Sequence, residues 1–267
     1  MKRPMGPAFL VATPLLGLVV LCGAACDVVF QGMNARATDE WKRTYKLDEG
    51  GRVEIINSNG TIDVSPSADA TTVEVVAERR AHGASEQAAR QELNAIRITE
   101  QVSPQQIRLE VPRGPGGVHF GRAAREVSFK VKVPKGAAVR VNTRNGEVRI
   151  TGLSGAVRAD TSNGSIVGED LGGVVEAGTT NGNVRVQVTT IRPDGIRLDT
   201  TNGNIDLRIP ADSKANISAH WTNGDFDAKG LNPQGETDRR RYEGKLNGGG
   251  PRIELNTTNG RIRISSS

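Results

Sequence analysis

Cysteines, aromatic residues and long apolar runs are all scarce in this sequence of 267 residues. Phe, Trp and Tyr make up only 3% of the chain, which is too few for an aromatic-lined ligand pocket or for a surface that stacks nucleic-acid bases. With two cysteines, a framework of disulfides is excluded. We therefore expect an aliphatic core, no cofactor, no metal site and no nucleic-acid partner.

The one long apolar stretch lies at the N-terminus. Basic residues at 2–3, an apolar run over 9–21 and small residues at 23–25 together form the pattern of a secretion signal. No later segment approaches the roughly 18 apolar residues that a membrane-spanning helix needs. The sequence therefore predicts a signal peptide over 1–25 and an exported chain.

Cys26 stands where a bacterial lipoprotein is cleaved and acylated. The stretch Gly23-Ala24-Ala25-Cys26 resembles that site, although Gly23 occupies a position that usually holds an aliphatic residue. Two or more acyl chains hold a protein at a membrane, since each buried methylene contributes about 0.8 kcal/mol. We expect lipidation of Cys26, a tether over 26–44 and a place in the cell envelope, anchored on the extracytoplasmic side of the membrane. The alternative is an ordinary signal-peptidase cut with an unmodified cysteine.

Alternating apolar residues predict β-strands through the rest of the chain. Residues 45–113 are predicted to form a β-rich N-terminal region with one helix, which Ser85 caps and which extends to about Ile96. Proline and glycines mark a loop at 114–126. Residues 127–267 are predicted to be strand and turn to their end.

Seven Asn-Gly pairs repeat on one template. Counting each asparagine as zero, apolar residues lie at −6, −4, +3 and +5, and a threonine commonly lies at −2. Successive pairs after residue 127 are 18, 18, 21, 21 and 36 residues apart, and the interval of 36 is predicted to hold two turns with the middle one degraded around Glu243-Gly244. The pairs, which we expect to be structural turns, are Asn59-Gly60, Asn145-Gly146, Asn163-Gly164, Asn181-Gly182, Asn202-Gly203, Asn223-Gly224 and Asn259-Gly260.

Two architectures fit this template. In an antiparallel β-meander, each Asn-Gly would be a two-residue hairpin turn. In a β-solenoid, each repeat would be one coil with the Asn-Gly at a corner, and equivalent residues of successive coils would stack. The near-constant period favours the solenoid, because stacked asparagines can hydrogen-bond in a ladder that satisfies amides otherwise costly to bury. We predict an all-β, repeat-built solenoid-like fold with one short helix near its N-terminal end.

A family resemblance rests on three parts of the sequence: VPKGAAVRVNTRNGEVRI, the successive TSNG, TTNG and WTNG units, and LNGGGPRIELNTTNGRIRI. Over about residues 45–267 the chain resembles a bacterial envelope family of proposed adhesins with β-strand repeats, a domain without an assigned function. The resemblance implies a right-handed β-solenoid-like fold on an exported or membrane-tethered protein. Fold alone does not establish what such a protein does.

Candidate catalytic groups are few. The three histidines are far apart in the sequence and have no partner at metal-ligand spacing. Asp160 and Asp199 share the −3 position, but Gly178 takes that place in the coil between them, which would leave the carboxylates about 10 Å apart. Trp221 and Phe226 are expected to pack together inside one coil and not to bind a sugar. We therefore predict no catalytic residues.

The leading functional hypothesis is a non-enzymatic, lipid-anchored envelope protein, adhesin-like, whose β-scaffold contacts a protein or an envelope polymer. The alternatives are an accessory or sensory component of an envelope-stress system that docks to a membrane protein, and a glycan-active β-helix enzyme. The formal net charge of +5 implies no particular partner. Partner contact is expected at a charged, less periodic segment with Arg239, Arg240, Arg241 and Tyr242, or at the basic region ending near Lys135.

Overall fold

Twenty-one β-strands and one α-helix make up residues 35–112 and 125–267, the part of the chain that the computed structural model describes. The elements before the second half of the chain are β1 (Ala35–Lys46), β2 (Arg52–Ile56), β3 (Ile62–Pro66), β4 (Thr72–Gly83), α1 (Glu86–Asn94), β5 (Thr99–Ser103), β6 (Gln106–Glu110) and β7 (Arg125–Val133). The central strands are β8 (Ala138–Asn145), β9 (Val148–Thr151), β10 (Val157–Asn163), β11 (Ile166–Leu171), β12 (Val175–Asn181), β13 (Val184–Val188), β14 (Ile196–Asn202) and β15 (Ile205–Ile209). The last strands are β16 (Ala215–Asn223), β17 (Phe226–Lys229), β18 (Gln234–Asp238), β19 (Arg241–Leu246), β20 (Arg252–Asn259) and β21 (Ile262–Ser266).

The strands form two sheets. Sheet A has ten strands in the order β1-β4-β7-β3-β9-β11-β13-β15-β21-β17. Sheet B has eleven strands in the order β18-β19-β16-β20-β14-β12-β10-β8-β2-β6-β5. From β7 to β17 each strand lies in the opposite sheet from the strand before it, so the chain winds from one sheet to the other.

One coil consists of a strand in sheet B, a corner and a strand in sheet A. Neighbouring coils pair in parallel and in register: Thr161 of β10 lies beside Thr143 of β8 and Thr179 of β12. This register confirms the predicted all-β, repeat-built solenoid-like fold. The antiparallel meander is wrong, because the two strands that flank each Asn-Gly belong to different sheets and do not pair with each other.

The core lies between the two sheets and is aliphatic, as the composition predicts. In the β12/β13 coil, Val175, Ala177, Val184 and Val186 are each at most 5% exposed. They occupy the −6, −4, +3 and +5 positions of the repeat, so the period-2 alternation of each strand points them inward. Burying a side chain of this kind contributes about 1.5–3 kcal/mol, and the same positions repeat along the stack.

The coils do not stack in chain order at either end. The β6/β7 coil lies outside the β2/β3 coil, although β2 and β3 come first in the sequence. At the other end, the C-terminal β20/β21 coil lies between β14/β15 and β16/β17. The last residues of the chain therefore form an interior coil, and β16/β17 is the outermost coil.

The prediction of a degraded coil around Glu243-Gly244 is wrong. The chain between β17 and β20 forms an antiparallel hairpin of β18 and β19, which extends sheet B beyond β16. Gly235 and Gly244 face each other in this hairpin, and a Cβ on either would lie within 2.8 Å of the Tyr242 hydroxyl. The glycines thus make room for a buried tyrosine ring.

Antiparallel strands also close the N-terminal end. β4 pairs with β7 in sheet A, and β1 pairs with β4 along its whole length. The tether predicted over 26–44 is therefore wrong from residue 35 onward, because Trp41 and Tyr45 lie on the same side of β1 and pack against the core. The signal peptide and Cys26 fall within 1–34, outside the described residues.

The predicted region boundaries cut across the two sheets. β2 and β3, from the region predicted over 45–113, pair with β8 and β9 of the region predicted over 127–267. Strand β7 begins at Arg125, inside the loop predicted over 114–126, and residues 113–124 lie outside the described ranges. The two regions therefore share both sheets and one core.

The helix α1 follows its sequence signals. The Ser85 hydroxyl accepts a hydrogen bond from the Ala88 N–H at 3.2 Å and so caps the first turn. Ala89 and Leu93 are buried where the helix packs against β1 and β4. The helix ends at Asn94, two residues before the predicted end.

No helix within 35–112 and 125–267 is long and apolar enough to cross a membrane.

Candidate functional site

The asparagines of the seven Asn-Gly corners form one continuous side-chain ladder. Each Nδ2 donates to the Oδ1 of the neighbouring coil at 2.7 to 2.9 Å, in the order Asn223, Asn259, Asn202, Asn181, Asn163, Asn145 and Asn59. Asn59 ends the ladder by donating to the Arg125 carbonyl oxygen at 3.3 Å. All the bonds point the same way, so the ladder has a donor direction that runs towards the N-terminal end.

The glycine of each corner is fixed by close contact between coils. Gly182 has a φ of +156°, and its N–H donates to the Asn202 carbonyl oxygen at 3.0 Å. A Cβ added to Gly182 would lie 2.0 Å from the carbonyl oxygen of Gly164 in the adjacent coil. Only glycine fits, because neighbouring corner backbones touch each other.

Threonines at −2 complete the corner from the inside. The hydroxyls of Thr179, Thr200 and Thr257 donate to a glycine carbonyl oxygen of the adjacent coil at 2.9, 2.9 and 3.0 Å. These threonines are buried, whereas Asn181 and Asn202 are exposed. The expectation that the ladder satisfies buried amides is therefore wrong: the buried polar group is the threonine hydroxyl, whereas five of the seven ladder asparagines are exposed and Asn59 and Asn145 are half-buried.

A row of hydroxyl groups runs beside the ladder on the outer side of sheet B. It occupies the −1 position of successive coils, which in spatial order holds Ser162, Thr180, Thr201, Thr258 and Thr222. All but the half-buried Ser162 are exposed. Because strands lie about 4.8 Å apart, one hydroxyl and one amide recur at that interval. We call this row together with the asparagine ladder the corner ridge.

Asp160 and Asp199 lie on the outer face of sheet B with Gly178 between them, as the −3 register predicts. Asp199 accepts from Arg197 Nε at 2.9 Å and from Asn256 Nδ2 at 2.7 Å. Asp160 is paired in the same way with the arginine two residues before it, at 3.3 Å. The register places the two carboxylates two coils apart, each in its own ion pair on an open sheet.

The predicted contact residues are only partly accessible. Arg239 and Arg240 form the exposed turn of the β18–β19 hairpin, and Arg241 is ion-paired with the glutamate two residues later. Arg240 also lines a shallow depression of about 490 Å³ that reaches the corner ridge at Thr258. Tyr242 is only 6% exposed, so of the four predicted contact residues its side chain has the least surface to offer a partner.

Three stacked aromatic rings cover the core at the C-terminal end. The ring centroids of Trp221 and Phe226 are 6.1 Å apart, and those of Phe226 and Tyr242 are 4.5 Å apart, with interplanar angles of 11° and 15°. The Tyr242 hydroxyl donates to the Pro233 carbonyl oxygen at 3.1 Å, and burial raises the pKa of Tyr242. The prediction that Trp221 and Phe226 pack together inside one coil is confirmed.

The basic residues before and after Lys135 do not form one face. Lys130 and Lys132 point outward from β7 in sheet A, whereas Arg140 and Arg144 point outward from β8 in sheet B. These side chains lie on two different sheet surfaces, because the chain crosses from one sheet to the other between the two pairs. Lys132 is moreover ion-paired with a glutamate of β4 at 3.3 Å.

Metal-ligating side chains are dispersed. Within the described ranges, no group of three or more His, Cys, Asp or Glu side chains is placed to hold a metal ion. His220 Nε2 lies 3.2 Å from the Ser218 hydroxyl on the same strand, and His82 lies on β4. The third histidine, His119, falls outside the described residues.

Parallel coils, glycine corners and an asparagine ladder define a β-solenoid-like repeat domain. The chain belongs to the Toastrack DUF4097 family, whose model matches residues 47–265. That range takes in every Asn-Gly corner from Asn59 to Asn259 and the strands of both sheets apart from the edge strand β1. No curated protein matches the sequence.

Three solved structures resemble the chain at low identity. A proposed cell adhesion protein from Clostridium sporogenes ATCC 15579 is 14% identical with a TM-score of 0.46, over 86% of this chain and 100% of that chain. A proposed adhesin from Bacteroides fragilis NCTC 9343 is 13% identical with a TM-score of 0.40, over 86% and 97%. A proposed adhesin from Parabacteroides distasonis ATCC 8503 is 11% identical with a TM-score of 0.27, over 88% and 98%. The family assignment rests on the sequence model and not on these scores.

Proposed function

We propose that this protein is a non-enzymatic, adhesin-like component of the cell envelope that binds an extended polymer along the corner ridge. One observation carries the proposal: exposed threonine hydroxyls and asparagine amides recur side by side at the strand spacing on successive coils. A polymer that lies parallel to the stack meets one hydroxyl and one amide at each of the five coils that begin with β10, β12, β14, β20 and β16. Weak contacts repeated in this way add up to a firm attachment.

The ladder amides keep hydrogen-bonding capacity for such a partner. An asparagine side chain has two N–H donors and two acceptor lone pairs. Asn181 uses one N–H on Asn163 and one lone pair on Asn202, which leaves a second donor and a second acceptor on an exposed side chain. The ladder holds each amide in a fixed orientation, so little conformational entropy remains to be lost on binding.

A polysaccharide of the envelope is the partner chemistry that fits best. The ridge offers neutral hydroxyl and amide groups, which exchange hydrogen bonds with sugar hydroxyls in both directions. Its charged neighbours Arg197 and Asp199 are already paired with each other at 2.9 Å, so together they add little net charge to the ridge.

The ridge can be tested with two matched substitutions. Thr201→Lys places a long charged side chain on the ridge, and Gln187→Lys makes the same change on sheet A of the neighbouring coil. Binding to purified envelope polysaccharide, measured by calorimetry or co-sedimentation, is expected to weaken about tenfold or more for Thr201→Lys, equivalent to about 1.4 kcal/mol, and to stay unchanged for Gln187→Lys. Equal binding by the two variants would contradict the ridge as the contact surface.

The two alternative functions, an accessory component that docks to a membrane protein and a glycan-active enzyme, would give different results with the same envelope preparation. Crosslinking at the native membrane that captures one stoichiometric membrane protein, with no polysaccharide bound, would favour a sensory or accessory component. Cleavage of the polysaccharide that is lost in Asp199→Asn would replace the binding scaffold by an enzyme.

The membrane anchor is a separate part of the proposal. Lipidation of Cys26 is supported by Gly23-Ala24-Ala25-Cys26 and by the secretion signal over 1–25. Mass spectrometry of the mature N-terminus is expected to find an acylated Cys26. A mature chain that begins elsewhere, or a free Cys26 thiol, would remove the anchor without touching the ridge.

A further inference from the structure

The Asn-Gly pairs that build the corners are also a chemically reactive sequence. The glycine nitrogen can attack the side-chain carbonyl carbon of the preceding asparagine, since glycine has no Cβ to hinder the approach. The carbon–nitrogen bond of the side-chain amide breaks, ammonia leaves and a succinimide ring forms. Water then opens the ring to aspartate or isoaspartate. The net change is the hydrolysis of a neutral amide to a carboxylate.

Six of the seven corners hold the attacking nitrogen in a hydrogen bond. The glycine N–H donates to the asparagine carbonyl oxygen of the adjacent coil at 2.9 to 3.0 Å at Gly60, Gly146, Gly164, Gly182, Gly203 and Gly260. These six glycines are buried or half-buried. The nitrogen must leave its acceptor before it can reach the side-chain carbon, so the folded stack resists the reaction at these corners.

The seventh corner, Asn223-Gly224, lies on the outermost coil and is open. The glycine N–H groups point away from the N-terminal end, and among the described residues no acceptor lies within hydrogen-bond distance of the Gly224 N–H. The hairpin beyond β16 stops short of the corner, and its last bond there joins the Trp221 N–H to the Arg240 carbonyl oxygen at 3.0 Å. Gly224 is the only exposed glycine of the seven.

The side-chain amide of this corner is also held less firmly than the others. Asn202 donates to Asn181 at 2.9 Å and accepts from Asn259 at 2.7 Å, so both ends of its amide are bonded. Asn223 donates to Asn259 at 2.8 Å, but its Oδ1 accepts no bond from any described residue. At the opposite end of the ladder, Asn59 is bonded on both sides.

We propose that Asn223 is the one of the seven corner asparagines that deamidates spontaneously in the folded protein, and that the modification loosens the β16/β17 coil. The pair Asn247-Gly248 lies outside the repeat, at an exposed turn where the Asn247 side-chain amide donates to the carbonyl oxygens of Ala211 and Ser213. The carboxylate formed at Asn223 has no N–H to donate to Asn259 Oδ1, so two acceptor oxygens face each other in place of a hydrogen bond. It also adds a negative charge two residues from Asp225. The proposal is independent of the polymer-binding function.

Native and denatured samples of the unmodified chain test the site. Both are incubated at mildly alkaline pH and digested, and mass spectrometry measures deamidation at the seven corner asparagines over time, with Asn247 of the exposed Asn247-Gly248 turn followed separately. In denaturant the seven sites are expected to react at similar rates. In the folded protein Asn223 is expected to react about tenfold or more faster than Asn202, because fewer hydrogen bonds must open. The rate at Asn223 should rise with pH, since the attacking nitrogen must lose its proton.

Two outcomes would overturn the assignment of the site. For each asparagine, the deamidation rate in the folded protein is divided by the rate in denaturant. The first contradicting outcome is an equal ratio for Asn223 and Asn202. The other is a different corner asparagine, such as Asn59, that reacts before Asn223. Asn223→Gln, which would have to close a six-membered ring, should abolish the fast phase, whereas Asn202→Gln should leave it unchanged.

A second comparison tests the structural effect. Asn223→Asp is expected to speed hydrogen exchange in β17 several-fold relative to the parent chain. Thr222→Asp adds the same charge at the neighbouring exposed position without touching the ladder, and we expect little change from it. If the two variants exchange equally fast, the lost ladder bond is not the cause of loosening.

Discussion

The two ends of the coil stack are closed in different ways, although both are built from the same repeat. At the N-terminal end, β4 and β1 extend sheet A. The backbone carbonyl oxygen of Asn59, the last corner at this end, accepts a hydrogen bond from the Val127 N–H at 2.9 Å. At the C-terminal end, β19 and β18 extend sheet B only, stacked aromatics cover the core, and the Gly224 N–H faces solvent.

The difference follows from the direction of the stack. Corner N–H groups point towards one end and corner carbonyl groups towards the other, so one end presents acceptors and the other presents donors. The acceptors are covered by protein backbone, whereas the donor of the last corner is not. A repeat protein therefore needs two unlike caps even when its repeats are alike.

The largest expected effect comes from removing strands from each end of the chain. Deleting residues 252–267 takes β20 and β21 out of the interior and separates β14/β15 from β16/β17. We expect this variant to lose cooperative unfolding in urea, followed by circular dichroism. Deleting residues up to 46 takes one strand, the edge strand β1, from the described part of the chain, and we expect a weaker but still cooperative transition. Cooperative folding of the C-terminal deletion would contradict the interior placement.

Replacing a corner glycine should cost more unfolding free energy in the middle of the stack than at its end. Gly182→Ala would bring a Cβ to 2.0 Å from a backbone oxygen between two fixed coils, and we expect a loss of more than about 3 kcal/mol in unfolding free energy. Gly224→Ala makes a contact of 1.8 Å, but the outermost coil can move away, so about 1–2 kcal/mol is expected. Gly136→Ala, with nothing within 4 Å, is the control. Equal costs at Gly182 and Gly224 would show that the end is as rigid as the middle.

The two tryptophans provide a comparison of the caps. Trp221 is 8% exposed within the aromatic stack, and Trp221→Ala is expected to lower the unfolding free energy by about 3 kcal/mol. Trp41 is only partly buried on the edge strand β1, beneath the Arg43 guanidinium, so Trp41→Ala is expected to cost about 1–2 kcal/mol. Chemical denaturation measures the unfolding free energy of both variants. A larger loss for Trp41→Ala would show that the N-terminal cap, and not the C-terminal one, depends more on its tryptophan.

The smallest effect concerns the buried threonines. The Thr179 hydroxyl donates at 2.9 Å, whereas the equally buried Thr143 hydroxyl, near the N-terminal end, has no partner. Thr179→Val is expected to cost about 1 kcal/mol, and Thr143→Val to be neutral or slightly stabilising. Thermal unfolding of the two variants side by side checks this, and a loss at Thr143 as large as at Thr179 would argue for a bond that the geometry does not contain.

Much of the fold could be predicted from the sequence because stacking imposes a strict local pattern. The inward positions, the corner glycines and the helix cap at Ser85 are each fixed by contacts within one coil or with an identical neighbour. Trp221 at a threonine position is a local sign of an unusual coil, and the structure places it in the outermost coil.

The order of the coils could not be predicted in the same way. Every coil presents nearly the same edge, so the repeat does not encode which coil lies beside which, and the swaps at both ends depend on long-range pairing. The exposure of the ladder was missed for a related reason. Asn202 and Thr200 are two residues apart, so the alternation of a straight strand would point both side chains inward. The corner bends the chain after the threonine and turns the asparagine outward.

The interior position of β20 and β21 has a consequence for how the chain acquires its structure. Strands β20 and β21 are synthesised after β16 and β17 and fill a slot between these strands and β14/β15, so the β16/β17 coil has no parallel coil beside it until β21 has been made. Folding therefore cannot simply advance from the first coil to the last as the polypeptide emerges, and the final step joins parts distant in sequence. Until β20 and β21 are in place, the β14/β15 and β16/β17 coils each retain an unpaired parallel edge.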